Sequence, residues 1–246
     1  MDRLVYVAMS GASETLRAQA ANNHNLANAS TTGFRADLSA FQSRAVQGAG
    51  EPARVYATNS TVGFDATNGQ LTATGGNLDV AINGDGWIAV QATDGREAYT
   101  RAGDLRVDVN GQLTTGTGHP VLGDGGPITV PPHSSITVAR DGSVSIVPLG
   151  QEATTTATVG RIKLVDPPPG GLDRGTDGLF RLRDGTDAPA DASVQVVAGA
   201  LETSNVNIAE TMTQMVELAR RFDLQVKALR TAEEDAASSA RLLQAS

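Results

Sequence analysis

The sequence contains no cysteine, which removes disulfides, thiolate metal sites and cysteine nucleophiles together and leaves the redox compartment open. Large anchors are scarce: five Phe, three Tyr and one Trp among 246 residues. Positive charge is in deficit, with 19 Lys and Arg against 27 Asp and Glu, a net charge of -8 and a pI near 4.8. Binding to nucleic acid needs clustered cations that displace counterions, so no nucleic-acid partner is expected. No run approaches the ~20 apolar residues of a membrane span, and direct membrane insertion is not expected. The apolar run Leu4 to Met9, with Asp2 before it and Glu14 soon after, is too short and wrongly flanked for a secretory signal, so any export is expected without a cleaved peptide. The histidines, His24, His119 and His133, are scattered, and no nucleophile motif, phosphate loop or dinucleotide fingerprint occurs; no catalytic residue, metal or cofactor is expected. Asn83-Gly84-Asp85-Gly86 lacks the alternating carboxylates and closing Glu of a calcium loop and reads as turn chemistry.

What is present is patterned at the two ends. Steps of four and three from Ile208 visit Met212, Met215, Ala219, Phe222, Val226, Leu229, Glu233, Ala236, Ala240 and Leu243, apolar everywhere but Glu233. That spacing predicts one long helix with a narrow seam, with Asn205 or Asn207 placed to cap its start. The same spacing runs through Val5, Met9, Ala12, Leu16, Gln19, Asn23 and Leu26, in a slim segment rich in Ala. Neither stripe is wide enough to close a globular core. The C-terminal stripe outruns the N-terminal one by about two heptads, a surplus that points to contacts between subunits. Both termini are therefore expected to be disordered in the free chain and to order on assembly.

The middle is a different material. It holds nine Asn-Gly or Asp-Gly pairs, several of which separate short runs rich in β-compatible residues: Leu78 to Ile82, Trp87 to Gln91, Leu105 to Val109, Ile136 to Ala139 and Val144 to Val147. These read as hairpins of an antiparallel β domain. Residues 36–76 are small and polar with weak periodicity and read as an extended connector. The expected organisation is α+β: 1–35 and 203–246 form a coiled-coil-like terminal region of N- and C-terminal helices, 36–76 connects, and 77–202 is a central antiparallel all-β domain. Residues 1–35 carry three basic and two acidic side chains and residues 203–246 five and six, so residues 36–202 hold the net charge of -8.

Asn25-Leu26-Ala27-Asn28 followed by Ser30-Thr31-Thr32-Gly33-Phe34-Arg35 resembles the N-terminal signature of bacterial flagellar rod and hook proteins, the axial family of the basal body. Gly199-Ala200-Leu201-Glu202-Thr203-Ser204-Asn205-Val206-Asn207 resembles the same family's second signature, and Leu78 to Gly86 and Ala98 to Gly103 its β core. The opening Met1 to Leu4 with Ala8 to Ala12 is similar to the proximal rod type more than to the distal type; Trp87 stands where relatives commonly carry Phe.

The resemblance implies a non-enzymatic structural subunit that passes unfolded through the flagellar type III export apparatus. It then joins neighbouring proximal and distal rod proteins in the periplasmic part of the rod, a hollow helical shaft with terminal helices inside and β domains outside. Its assembly interface would comprise Val5, Met9, Ala12, Leu16, Asn23, Asn25, Leu26, Asn28, Gly33, Phe34, Asn205, Asn207, Ile208, Met212, Met215, Phe222, Val226, Leu229 and Leu243. Asn22, Asn23, Asn25 and Asn28 would pin the slim helix against neighbouring chains, because a buried amide must find partners; Gly33 would reverse the chain and Phe34 anchor the exit in a pocket. A distal rod or hook type, and a secreted adhesin-like β module, are the alternative readings.

Overall fold

The computed structural model describes residues 2–45, 55–152, 155–168 and 170–244; at 2–7, 39–45, 55–62, 236, 239–240 and 242–244 it describes the backbone alone. The chain divides into two compact units. One comprises Met1–Ala29, Ala36–Phe64 and Val206–Ser246, the other Ser30–Arg35 and Asp65–Asn205. The fold is α+β, and every strand pairing among the described residues is antiparallel.

The first unit holds helix α1 (Asp2–Ala27), strands β1 (Asp37–Ala45) and β2 (Val55–Phe64), and helix α2 (Ile208–Gln244). At 37 residues, α2 spans ~55 Å. Thr15 Oγ1 lies 3.0 Å from Gln225 Oε1, and Asn22 Nδ2 donates to the Thr211 carbonyl at 2.9 Å. Residue numbers rise along one helix as they fall along the other, so the two helices run antiparallel. The start of α2 is capped by Asn207, whose Oδ1 accepts the Ala209 and Glu210 N–H groups. Residues 36–76, read as an extended connector, instead supply the ribbon β1–β2, paired from Asp37 with Phe64 to Ala45 with Val55. Sequences such as Ser39-Ala40-Phe41-Gln42-Ser43 carry no apolar alternation, because a two-stranded ribbon is held by its backbone ladder and need not bury one face.

The second unit is the β domain. Its strands are β3 (Leu71–Ala73), β4 (Val80–Asn83), β5 (Trp87–Gln91), β6 (Glu97–Thr100), β7 (Leu105–Val107), β8 (Leu113–Thr115), β9 (Leu122–Gly123), β10 (Gly126–Pro127), β11 (His133–Val138), β12 (Ser143–Pro148), β13 (Ala157–Arg161), β14 (Leu164–Val165), β15 (Leu172–Arg174), β16 (Phe180–Leu182), β17 (Gln195–Ala198) and β18 (Ala200–Glu202). The largest sheet has the order β14-β5-β6-β16-β15, and a second is β11-β12-β13. Two pairings close long loops: β3 with β18 and β4 with β17. The core is aliphatic, with Val80, Ile88, Val90, Leu113, Val144 and Ile162 almost wholly buried, each stabilising the fold by ~1.5–3 kcal/mol. Seven of the nine Asx-Gly pairs place glycine at positive φ in the expected way, and Gly69 and Gly125 do not. Gly69 is required for a different reason: a Cβ there would lie 1.9 Å from the Thr203 carbonyl oxygen.

Candidate functional site

Three of the four signature motifs meet in the β unit at one buried charge centre. Arg35, from the N-terminal signature, and Arg101, which follows β6, are 0 % and 3 % exposed; between them lies Glu202, the last residue of β18, at 1 %. Arg35 Nη2 reaches Glu202 Oε1 at 2.7 Å and Arg101 Nη1 reaches Oε2 at 3.2 Å. Oε1 also accepts the Gly69 N–H at 2.7 Å. Both arginines donate to Asn68 Oδ1, and Arg101 donates to the carbonyl of Gly84 in the fourth motif. Burial pulls the Arg101 guanidinium down to about 10, with the Glu202 carboxylate opposing and Arg35 reinforcing that shift.

Aromatic rings complete the centre. Both guanidiniums lie over Trp87, at 6.0 and 5.6 Å from the ring centroid. The ring face stands where Arg35 Nε and Nη1 and Arg101 Nε find no hydrogen-bond acceptor among the described residues. Trp87 packs tilted on Phe180 at 4.5 Å, and Arg174 sits between Phe180 and Phe34 at 4.8 and 4.5 Å. Arg174 also donates to the Arg35 carbonyl at 2.6 Å. Phe34 thus anchors the exit from α1 on this chain's own arginine. The backbone is as tightly joined as the side chains: the Gly33 N–H donates to the Glu202 carbonyl at 2.8 Å and the Asn205 N–H to that of Phe34. Gly33 has φ of 66°, and a Cβ on it would lie 2.3 Å from the Arg101 carbonyl carbon, so only glycine fits. This arrangement is a clasp that sews residues 30–35 to residues 199–205. It offers no substrate cavity and no free nucleophile among the described residues.

Three of the four asparagines, Asn22, Asn25 and Asn28, find partners inside the chain. Asn22 holds the first turn of α2 through the Thr211 carbonyl. Asn25 copies a peptide group, accepting the Asp37 N–H at 2.7 Å and donating to the Asp37 carbonyl at 3.0 Å. His24 Nδ1 lies 2.6 Å from the Asp37 carboxylate, so two successive helix residues hold the first residue of β1. Asn28 donates to the His24 carbonyl and closes its own helix. Asn23 alone of the four is exposed. Asn205 serves the β unit, donating to the Asp65 and Thr67 carbonyls.

The helix pair buries a different face from the predicted stripes. On α1 the buried residues are Glu14, Thr15, Ala18 and Asn22, and on α2 Thr211, Leu218 and Ala232. Met9, Leu16, Ile208 and Met212 are each half or more exposed, and Met215 is 36 % exposed. Ala12 and Leu26 are half-buried, as are Phe222, Val226 and Leu229, where the predicted seam of α2 borders the buried face. The side chains of Val5 and Leu243 lie outside the described residues.

Comparison with known proteins agrees with this architecture. A family model described as the flagellar hook protein FlgE/F/G D1 domain matches residues 81–146, and one described as the flagellar basal body rod FlgEFG protein C-terminal matches residues 197–242. The chain belongs to the family of flagellar basal-body rod and hook proteins. It is 46 % identical to the flagellar basal-body rod protein FlgF of Escherichia coli and 47 % identical to that of Salmonella typhimurium, in both cases over 99 % of each chain. To the rod protein FlgG of Buchnera aphidicola from Schizaphis graminum it is 32 % identical over 86 % of this chain and 88 % of the relative. Among the described residues, no helix is long and apolar enough to cross a membrane.

Proposed function

We propose that this chain is a structural subunit of the proximal rod, which self-assembles with neighbouring rod proteins into a helical shaft that transmits torque to the hook. The observation that supports this best is the exposure of Met9, Leu16, Ile208 and Met212 on the two helices. Exposed apolar stripes of this length gain their burial from other chains. A heterologous contact repeated with a rotation that does not close yields an open helix, and shared helix seams resist twisting because many must break together. Near-neutral ends suit dense packing, and the acidic middle suits solvent. Coiled-coil contacts of the terminal helices between subunits, passage through the flagellar type III export apparatus without a cleaved signal, and a place in the periplasmic part of the rod belong to the same reading.

Deletion of residues 206–246 tests it. Export is expected to survive, whereas incorporation into basal bodies and motility are expected to be lost. Rods of normal composition assembled from the truncated chain would overturn the proposal, and closed rings in place of rods would favour the adhesin-like alternative.

A further inference from the structure

The sequence has four methionines, Met1, Met9, Met212 and Met215. The last three are exposed, at 54, 54 and 36 %, and none stands in the β core. Their placement follows from the helix pair. Leu16 comes one residue after the buried Thr15, and Met212 one residue after the buried Thr211. Each is therefore turned by ~100° in the same sense from its helix's contact line. In an antiparallel pair, residues displaced in the same sense emerge on the same side. Met9, seven residues before Leu16, shares its side, and Met215 borders Met212 one turn on. Leu16, Met212 and Met215 thus emerge on one side of the α1–α2 pair, and Met9 follows Leu16 toward the outer face of α1.

We propose that Met9, Met212 and Met215 are a sulfoxidation site that switches this side of the helix pair out of assembly. The proposal rests on the reading above that this side packs against other subunits. The chemistry needs a peroxide. The thioether sulfur attacks one peroxide oxygen, an S–O bond forms as the O–O bond breaks, sulfur is oxidised to the sulfoxide, and hydrogen peroxide is reduced to water with its protons retained. A flexible apolar side chain becomes a polar one, and a stripe that packs by burial then carries up to three strong acceptors whose burial costs free energy unless a donor meets them. Assembly hides the same sulfurs, so only subunits not yet in a rod are open to the switch.

Treatment of the purified full chain with graded hydrogen peroxide, followed by peptide mass spectrometry, is expected to show sulfoxide at all three positions. In isolated basal bodies the same residues are expected to react about tenfold more slowly or less. Equal rates in free chain and basal bodies would overturn the proposal. In cells lacking the wild-type chain, the triple variant Met9→Leu, Met212→Leu, Met215→Leu is expected to enter rods, and the triple Gln variant, a polar mimic of the sulfoxide, is expected to be excluded while keeping the thermal unfolding of the β unit. Entry of the Gln variant at the wild-type level would also overturn it. Leu16→Lys separates the two layers of the argument: if it is excluded while the Gln variant enters, the switch fails and the assembly face stands. If Leu16→Lys enters as well, the reading of the face itself fails.

Discussion

Glu202 accepts hydrogen bonds from two buried guanidiniums and a backbone N–H, through both of its oxygens. Glu202→Ala strands both arginines and is expected to cost about 3–5 kcal/mol. Glu202→Gln is expected to cost at least about 2 kcal/mol, because in either amide orientation the NH2 group faces a donor. Denaturant unfolding followed by the fluorescence of Trp87, which lies against the same guanidiniums, measures both; a loss under about 1 kcal/mol for the alanine variant would contradict the clasp. All three charges stand in motifs the sequence displays, yet positions 35, 101 and 202 carry no spacing rule that says they touch. The asparagines were legible as residues that need partners, and not as to whose. The amide of Asn25 meets the backbone of Asp37 only because β1 starts where it does.

Turns carry their own pH response. Asp141, Asp177, Asp184 and Asp191 each accept the N–H two residues on, from Ser143, Leu179, Thr186 and Ser193. Hydrogen bonds from the Ser143 hydroxyl, the Arg181 guanidinium, the Thr186 N–H and the Ser193 hydroxyl, respectively, lead in holding these carboxyls below their ordinary range. A carboxyl depressed in the folded state adds stability that is complete above its unfolded value, ~3.9, and is lost as pH falls through its folded value. The melting temperature is therefore expected to be flat from about pH 7 to 5 and to fall below about 4. Calorimetry that shows a fall already above pH 5 would assign the acid response to other groups. Asx-Gly pairs flanking β-compatible runs made the hairpins readable, as at β5–β6, β7–β8 and β11–β12. The ribbon β1–β2 was not, because its sequence shows no apolar alternation for a period to reveal.

On the scale of the molecule, the two units differ in what holds them. The β unit has an aliphatic core and a charge clasp; on the helix pair the described buried side chains are mostly small or polar, and Met9, Leu16, Ile208 and Met212 are exposed. Hydrogen exchange on the free chain is expected to be at least about tenfold faster at residues 8–27 and 208–235 than in the β core, and to slow on assembly. Strong protection of α1 in a free monomer would contradict a helix pair completed by other chains. Heptad spacing gave both helices their place and type, but the stripe it traces is not the face they share. Thr15, Ala18 and Asn22 are too small or too polar to register as a seam, and a pattern of hydrophobicity reports what wants burial, not which partner supplies it.

Strands β3 and β4 must wait for β18 and β17, more than a hundred residues later, before they have a mate, and Arg35 waits as long for Glu202. A polypeptide threaded head first through a narrow conduit cannot lock while its tail is still inside. On the export route proposed above, late closure would keep the strand of amino acids pliable for as long as it travels, and fasten it once it has arrived.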